Sequence, residues 1–113
     1  MLLEEFKHDQ PGANSDPRYT AVLASGLTEV TAKLTPLMLD TALIDPGTGA
    51  AVAWDGKKAG TAVALLAMDV DGTESRITVW KSGTWRIEDI QWPEGVTDIQ
   101  KYNAFAGSAL SVQ

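Results

Sequence analysis

The sequence contains no cysteine. That absence excludes disulfide staples, thiol nucleophiles and cysteine-ligated zinc together, and it is compatible with folding in a reducing cytoplasm. Histidine occurs once, at His8. A Ser-His-Asp arrangement would have to be built on that residue, in a stretch with no apolar period to hold a base in place. His8 is therefore read as a solvated residue. Basic residues are few, 9 against 15 acidic ones, for a formal charge of −6. Such a balance repels phosphate backbones unless the cations cluster, and Lys57-Lys58 is the only adjacent pair. Long hydrophobic runs are missing too. The longest, "AVALLAM" at 62–68, is far short of a bilayer span. "MLLEE" places acid where a secretory signal carries base, and no apolar stretch follows, so no export signal is expected. Nucleic acid, membrane, metal, cofactor and small-molecule substrate are all left without a candidate site.

What is present reads as one domain of 113 residues with an arm. "HDQPGANSDPRYT" (8–20) cannot be helical. Pro11, Gly12 and Pro17 interrupt it, and the prolines push Gln10 and Asp16 into extended geometry. Residues 1–20 are assigned to an extended N-terminal arm and 21–113 to a β-rich domain. A core built from the remainder alone is marginal without a staple, so an oligomer is expected.

The domain reads as α+β, mainly β, with short strands, hairpins and one short C-terminal helix. "TAVLASGLTEVTAKLT" (20–35) is extended chain broken at Gly26. "TPLMLD" (35–40) is a strand whose Pro36 suits a strand start or an edge. "AAVAW" (50–54) follows the turn "DPGTG", and "DG" (55–56) is a further turn signal. "TAVALLAM" (61–68) is apolar on both faces and should be the most buried strand. "RITVW-KSG-TWRIEDI" (76–90) reads as a hairpin turning at Ser82-Gly83, with Ile77 and Val79 on one face and Trp85 and Ile87 on one face of the return. Trp80 falls on the second face, toward solvent, another element or a partner. Thr97 is placed to cap a helix ending near Asn103, with Ile99 and Tyr102 as its buried face. "AFAGSALSV" (104–112) reads as an extended tail with Phe105, Gly107, Ala109 and Ser111 on one side, open to close approach by another backbone.

Motifs for chemistry fail on spacing. "DVDGTE" (69–74) begins like a calcium loop, but Gly72 comes too early and the later glutamate is missing. "GTG" (47–49) lacks the third glycine of a dinucleotide fingerprint, and "GKK" (56–58) lacks the Ser or Thr of a phosphate loop. Both are read as hairpin loops. Glu88 and Asp89 would point to opposite strand faces and could not share a site. Of the four tryptophans, Trp54 and Trp85 are assigned to the core. Trp80 and Trp92 are candidates for a subunit or partner contact, where Trp is enriched. An alternative makes them stacking platforms of a glycan- or cell-surface-binding module; an enzyme using His8 is a distant third.

Six collinear strings, "NSDPRYTA" (14–21), "LTPLMLD" (34–40), "VAWDG" (52–56), "KSGTW" (81–85), "WPE" (92–94) and "NAFAGSALS" (103–111), resemble the head decoration protein of lambda-like bacteriophages. Residues 1–13 match poorly, and 41–51 is longer than the family's usual connection. The resemblance implies a non-enzymatic homotrimer, made in the host cytoplasm. It would bind the outer surface of the expanded head at three-fold and quasi-three-fold sites and hold the major capsid protein lattice against packaged-genome pressure. It also implies an arm that orders beside coat-protein strands. By position that role falls on Asn14, Ser15, Asp16, Pro17 and Thr20, with Phe6, Tyr19 and Val22 as apolar anchors. Trp80, Trp92, Phe105, Gly107 and Ala109 are the expected subunit or coat contacts.

Overall fold

The computed structural model describes residues 18–40 and 50–113. The expectations placed on His8, Phe6, Asn14, Ser15, Asp16, Pro17 and the "GTG" loop lie outside the described residues. Five strands form one sheet: β1 (Thr20–Ala24), β2 (Pro36–Leu39), β3 (Ala51–Ala53), β4 (Ala64–Leu66) and β5 (Arg76–Trp80). They are antiparallel and ordered β1-β5-β4-β2-β3. Two further strands, β6 (Ser82–Trp85) and β7 (Ala109–Val112), make a separate parallel pair. One short helix, α1 (Asp98–Asn103), precedes β7. The class is mainly β, as the turn-rich sequence indicates.

The sheet carries apolar cover on both faces, and the sequence of β4 shows why it sits at the centre. Ala64, Leu65 and Leu66 have no exposed surface. Alternate residues of a strand point to opposite sides, so Ala64 and Leu66 join one core cluster with Leu37, Ile77, Val79, Leu27 and Val70. Leu65 joins the other, with Trp54, Trp85, Ile90, Phe105 and Leu110. Pro36 starts β2, where its missing N–H costs no ladder bond, and its carbonyl accepts from Trp54 N–H at 2.8 Å.

The expected hairpin at 76–90 does not form. β5 ends at Trp80, and Lys81 N–H donates to the Tyr19 carbonyl, extending the β1–β5 pairing. Ser82 and Gly83 are not a turn; they open β6, whose partner is β7 in the register Ser82↔Ala109 to Trp85↔Val112. Gly83 spends its left-handed freedom (φ 113°) on redirecting the chain between sheets. All four β6 residues are buried, which a two-stranded hairpin open on one side would not provide. Ile87–Asp89 is a 3-10 turn and not a continuing strand, so Ile87 does not extend a Trp85 face. The "GKK" segment is not a hairpin loop either, because β2 lies between β3 and β4.

The helix begins where the sequence places it. Thr97 Oγ1 accepts from Gln100 N–H, while Gln100 Oε1 accepts from Thr97 N–H at 2.7 Å, a reciprocal capping box. Its faces are the reverse of those expected. Ile99 is 76% and Tyr102 58% exposed. The helix docks through polar Gln100, whose amide donates to the Gly56 carbonyl at 3.2 Å, and through Ala104 and Phe105 just past its end. Residues 104–108 are turns, so Phe105 does not share a side with Gly107, Ala109 and Ser111; it is core, and the extended tail starts only at Ala109.

Candidate functional site

The folded chain meets the N-terminal segment at Arg18 and Tyr19. Tyr19 is fixed at both backbone groups: its N–H donates to Ser82 Oγ at 2.9 Å and its carbonyl accepts from Lys81. Its ring is exposed, as is Val22 on β1. β1 is an edge strand with β5 as its one neighbour in the sheet, so Thr20 and Val22 lie along a border with backbone groups open to an added strand. Of the expected arm residues, Tyr19, Thr20 and Val22 are thus brought together on this edge.

Beside the edge lies a stack. The Arg18 guanidinium lies 4.1 Å from the Trp85 ring centroid and 5.9 Å from that of Trp80. The two indoles tilt against each other at 5.3 Å. Burial lowers the Arg18 pKa from its ordinary value. Sequence reasoning did not single out Arg18. Its partners are distant in sequence, and no local pattern announces a cation resting on indoles.

Trp80 and Trp92 are both partly buried against the second core cluster. Trp80 packs against another element, one of the readings open for it. Trp92 donates its indole N–H to the Ile87 carbonyl at 2.9 Å and packs between Trp54 and Phe105, each 6.1 Å away. Trp54 and Trp85 are core, as assigned. Phe105 is core as well; Gly107 and Ala109 are exposed near the C-terminal strand.

Chemistry finds little to work with. Among the described residues no three His, Asp or Glu side chains converge on a point that could hold a metal, and no helix is long and apolar enough to cross a membrane. "DVDGTE" is a turn whose acids bond to backbone: Asp69 accepts from Lys33 N–H at 2.8 Å, and Val70 bridges to Thr31. Asp71 Oδ1 accepts from Thr73 N–H and Oγ1–H, and Glu74 accepts from the N–H groups of Asp71 and Gly72. The Thr73 hydrogen bonds lower the Asp71 pKa. Glu88 makes an exposed ion pair with Arg86 at 3.3 Å. A cleft of about 140 Å³ between α1 and the 56–59 segment is lined by Trp54, Lys57, Lys58, Ile99 and Asn103 among others. Its titratable lining residues are the two lysines.

Comparison with known proteins decides the family. The model of the bacteriophage lambda head decoration protein D family matches residues 3–112. The chain belongs to that family. It is 52% identical over 99 residues to the "Head decoration protein" of Enterobacteria phage P21, covering 88% of this chain and 82% of that one. It is 45% identical over 112 residues to the "Putative decoration protein" of Escherichia phage N15, covering 98% and 97%. The family match begins ahead of Asn14, so the N-terminal segment belongs to it further than the short motifs indicate. As a head decoration protein, the chain is a structural component of a phage capsid.

Proposed function

We propose that this decoration protein is a trimeric cement on the outer surface of the expanded phage head. It sits at three-fold and quasi-three-fold positions and stabilises the major capsid protein lattice against the pressure of packaged genome. The observation that carries the reading is the family match over residues 3–112. A cement needs several modest contacts acting together, which three subunits supply through avidity without any one contact being strong.

The N-terminal segment is the coat-binding arm, joined in sequence to the domain at Arg18, just ahead of edge strand β1. Ordering it costs about 1–2 kcal/mol per residue in backbone entropy, while each net hydrogen bond returns about 0.5–1.5 kcal/mol. Backbone pairing alone therefore roughly breaks even, and apolar anchors such as Phe6, Tyr19 and Val22 supply the surplus. A trimer requires one surface patch to meet a different patch on the neighbour, which three-fold rotation closes into a ring. Ile99 and Tyr102 on α1, Gly107 and Ala109 are exposed, which supports their use in such contacts.

The test is co-sedimentation of the purified protein with expanded and with unexpanded capsids of its own phage. Saturable binding to the expanded form, in multiples of three, is expected. Equal binding to both forms, or to neither, would remove the proposal.

A further inference from the structure

Among the described residues, two buried side-chain atoms lack a hydrogen-bond partner, Arg18 Nε and Trp85 Nε1, and they belong to the same stack. Both are donors and neither side chain can accept. The fold satisfies its other buried indole groups: Trp54 donates to Thr61 Oγ1 at 2.8 Å, and Trp92 to the Ile87 carbonyl. Trp85 is the exception, although only 7% of its surface is exposed. Among the described residues Arg18 has no carboxylate either; the ion pairs there are Arg86–Glu88 and Lys101–Asp98. Buried donors left unpaired are uncommon and costly, so two of them in one stack ask for an acceptor from outside the described residues.

We infer that Arg18 and Trp85 form a docking site for a carboxylate of the coat protein, which accepts from Arg18 Nε–H and from the indole N–H together. The acceptor is a carboxylate because one of the two donors is a cation. A hydroxyl or amide would leave that charge uncompensated, whereas the planar guanidinium matches a carboxylate in geometry. The source is the coat protein because the stack stands at the root of the N-terminal segment, beside the exposed edge of β1. This assignment rests on the proposed function above. Arg18 covers the indole, so the guanidinium tilts off the ring as the carboxylate enters. Tyr19, pinned to Ser82 and Lys81, is the fixed point about which it moves.

The test uses the full chain with Trp85→Phe, which keeps an aromatic ring but loses the donor, and Arg18→Lys, which keeps the charge but loses Nε–H and the planar fork. Each is expected to lower affinity for expanded capsids about tenfold, ~1.4 kcal/mol, with oligomer mass unchanged. The double variant should bind about as weakly as either single one, because both donors serve one acceptor. If Trp85→Phe does not fold, Arg18→Lys read by the same two assays decides. Unchanged affinity overturns the site. So does a loss that tracks oligomer mass, which would assign the acceptor to a neighbouring copy. A protein lacking residues 2–17, run alongside, separates the two claims. If it binds weakly while the point variants bind normally, the carboxylate site alone falls. If it binds as well as the full chain, the arm reading falls.

Discussion

Leu65→Ala probes the feature on which this fold depends most, a central strand with core on both sides. Leu65 has no exposed surface and lies opposite Pro36 on one neighbour and Trp80 on the other. Its side chain belongs to the cluster formed by Trp54, Trp85, Phe105 and Leu110, while Ala64 and Leu66 serve the opposite cluster. Truncation removes apolar burial and leaves a cavity that large, rigid indoles fill poorly, so a cost of about 2–5 kcal/mol is expected. For a domain of this size each kcal/mol lowers the thermal midpoint by about 4–8 °C. A drop of at least ~8 °C should follow in a calorimetric or circular-dichroism melt. Leu66→Ala, emptying the other face, should cost a similar amount. If Leu65→Ala melted within ~3 °C of the parent while Leu66→Ala did not, the second cluster would not be a core.

Three further outcomes are expected. Thr97→Ala removes the acceptor for Gln100 N–H and half of the capping box, costing about 0.5–2 kcal/mol in denaturant unfolding; no change would show that α1 is held by its docking alone. Gly72→Ala should destabilise strongly, since Gly72 has φ 96° and an added Cβ would stand 2.5 Å from Glu29 N, with backbone that cannot swing aside; a soluble variant with an unchanged melt would contradict that contact. His8→Ala and Glu88→Gln should each leave capsid affinity within about tenfold, ~1.4 kcal/mol, and a larger loss in sedimentation would mean that one of them contacts the coat.

How far the sequence could be read depended on the range of the interaction that decides each element. The Thr97 cap was legible because its partner is Gln100, three residues on. The burial of β4 was legible because a strand without a polar face has no solvent side to offer. The hairpin was misread for the opposite reason. Ser82-Gly83 is a genuine local turn signal, but β6 is claimed by β7, a strand near the chain's end, and that pairing leaves no local trace. The helix faces were misread because Ile99 and Tyr102 are too few points to fix a face on six residues, and a polar side chain, Gln100, makes the docking bond. At the candidate site the exposed Tyr19 and Val22 were foreseeable as apolar residues without a core period. The Arg18 stack was not, because Tyr19 and its Ser82 anchor are 63 residues apart and only the folded sheet brings the arginine onto Trp85.

The central claim is that this chain cements a phage head, and the most direct measurement is the thermal stability of expanded capsids with and without it. A ligand that binds only the intact lattice stabilises it by mass action, about 2.7 kcal/mol per site at a free concentration 100 times Kd. Calorimetry of expanded capsids should show the disruption transition moving upward as protein is added, and levelling off when the sites are full. A transition that stays in place while the protein is demonstrably bound would contradict the account.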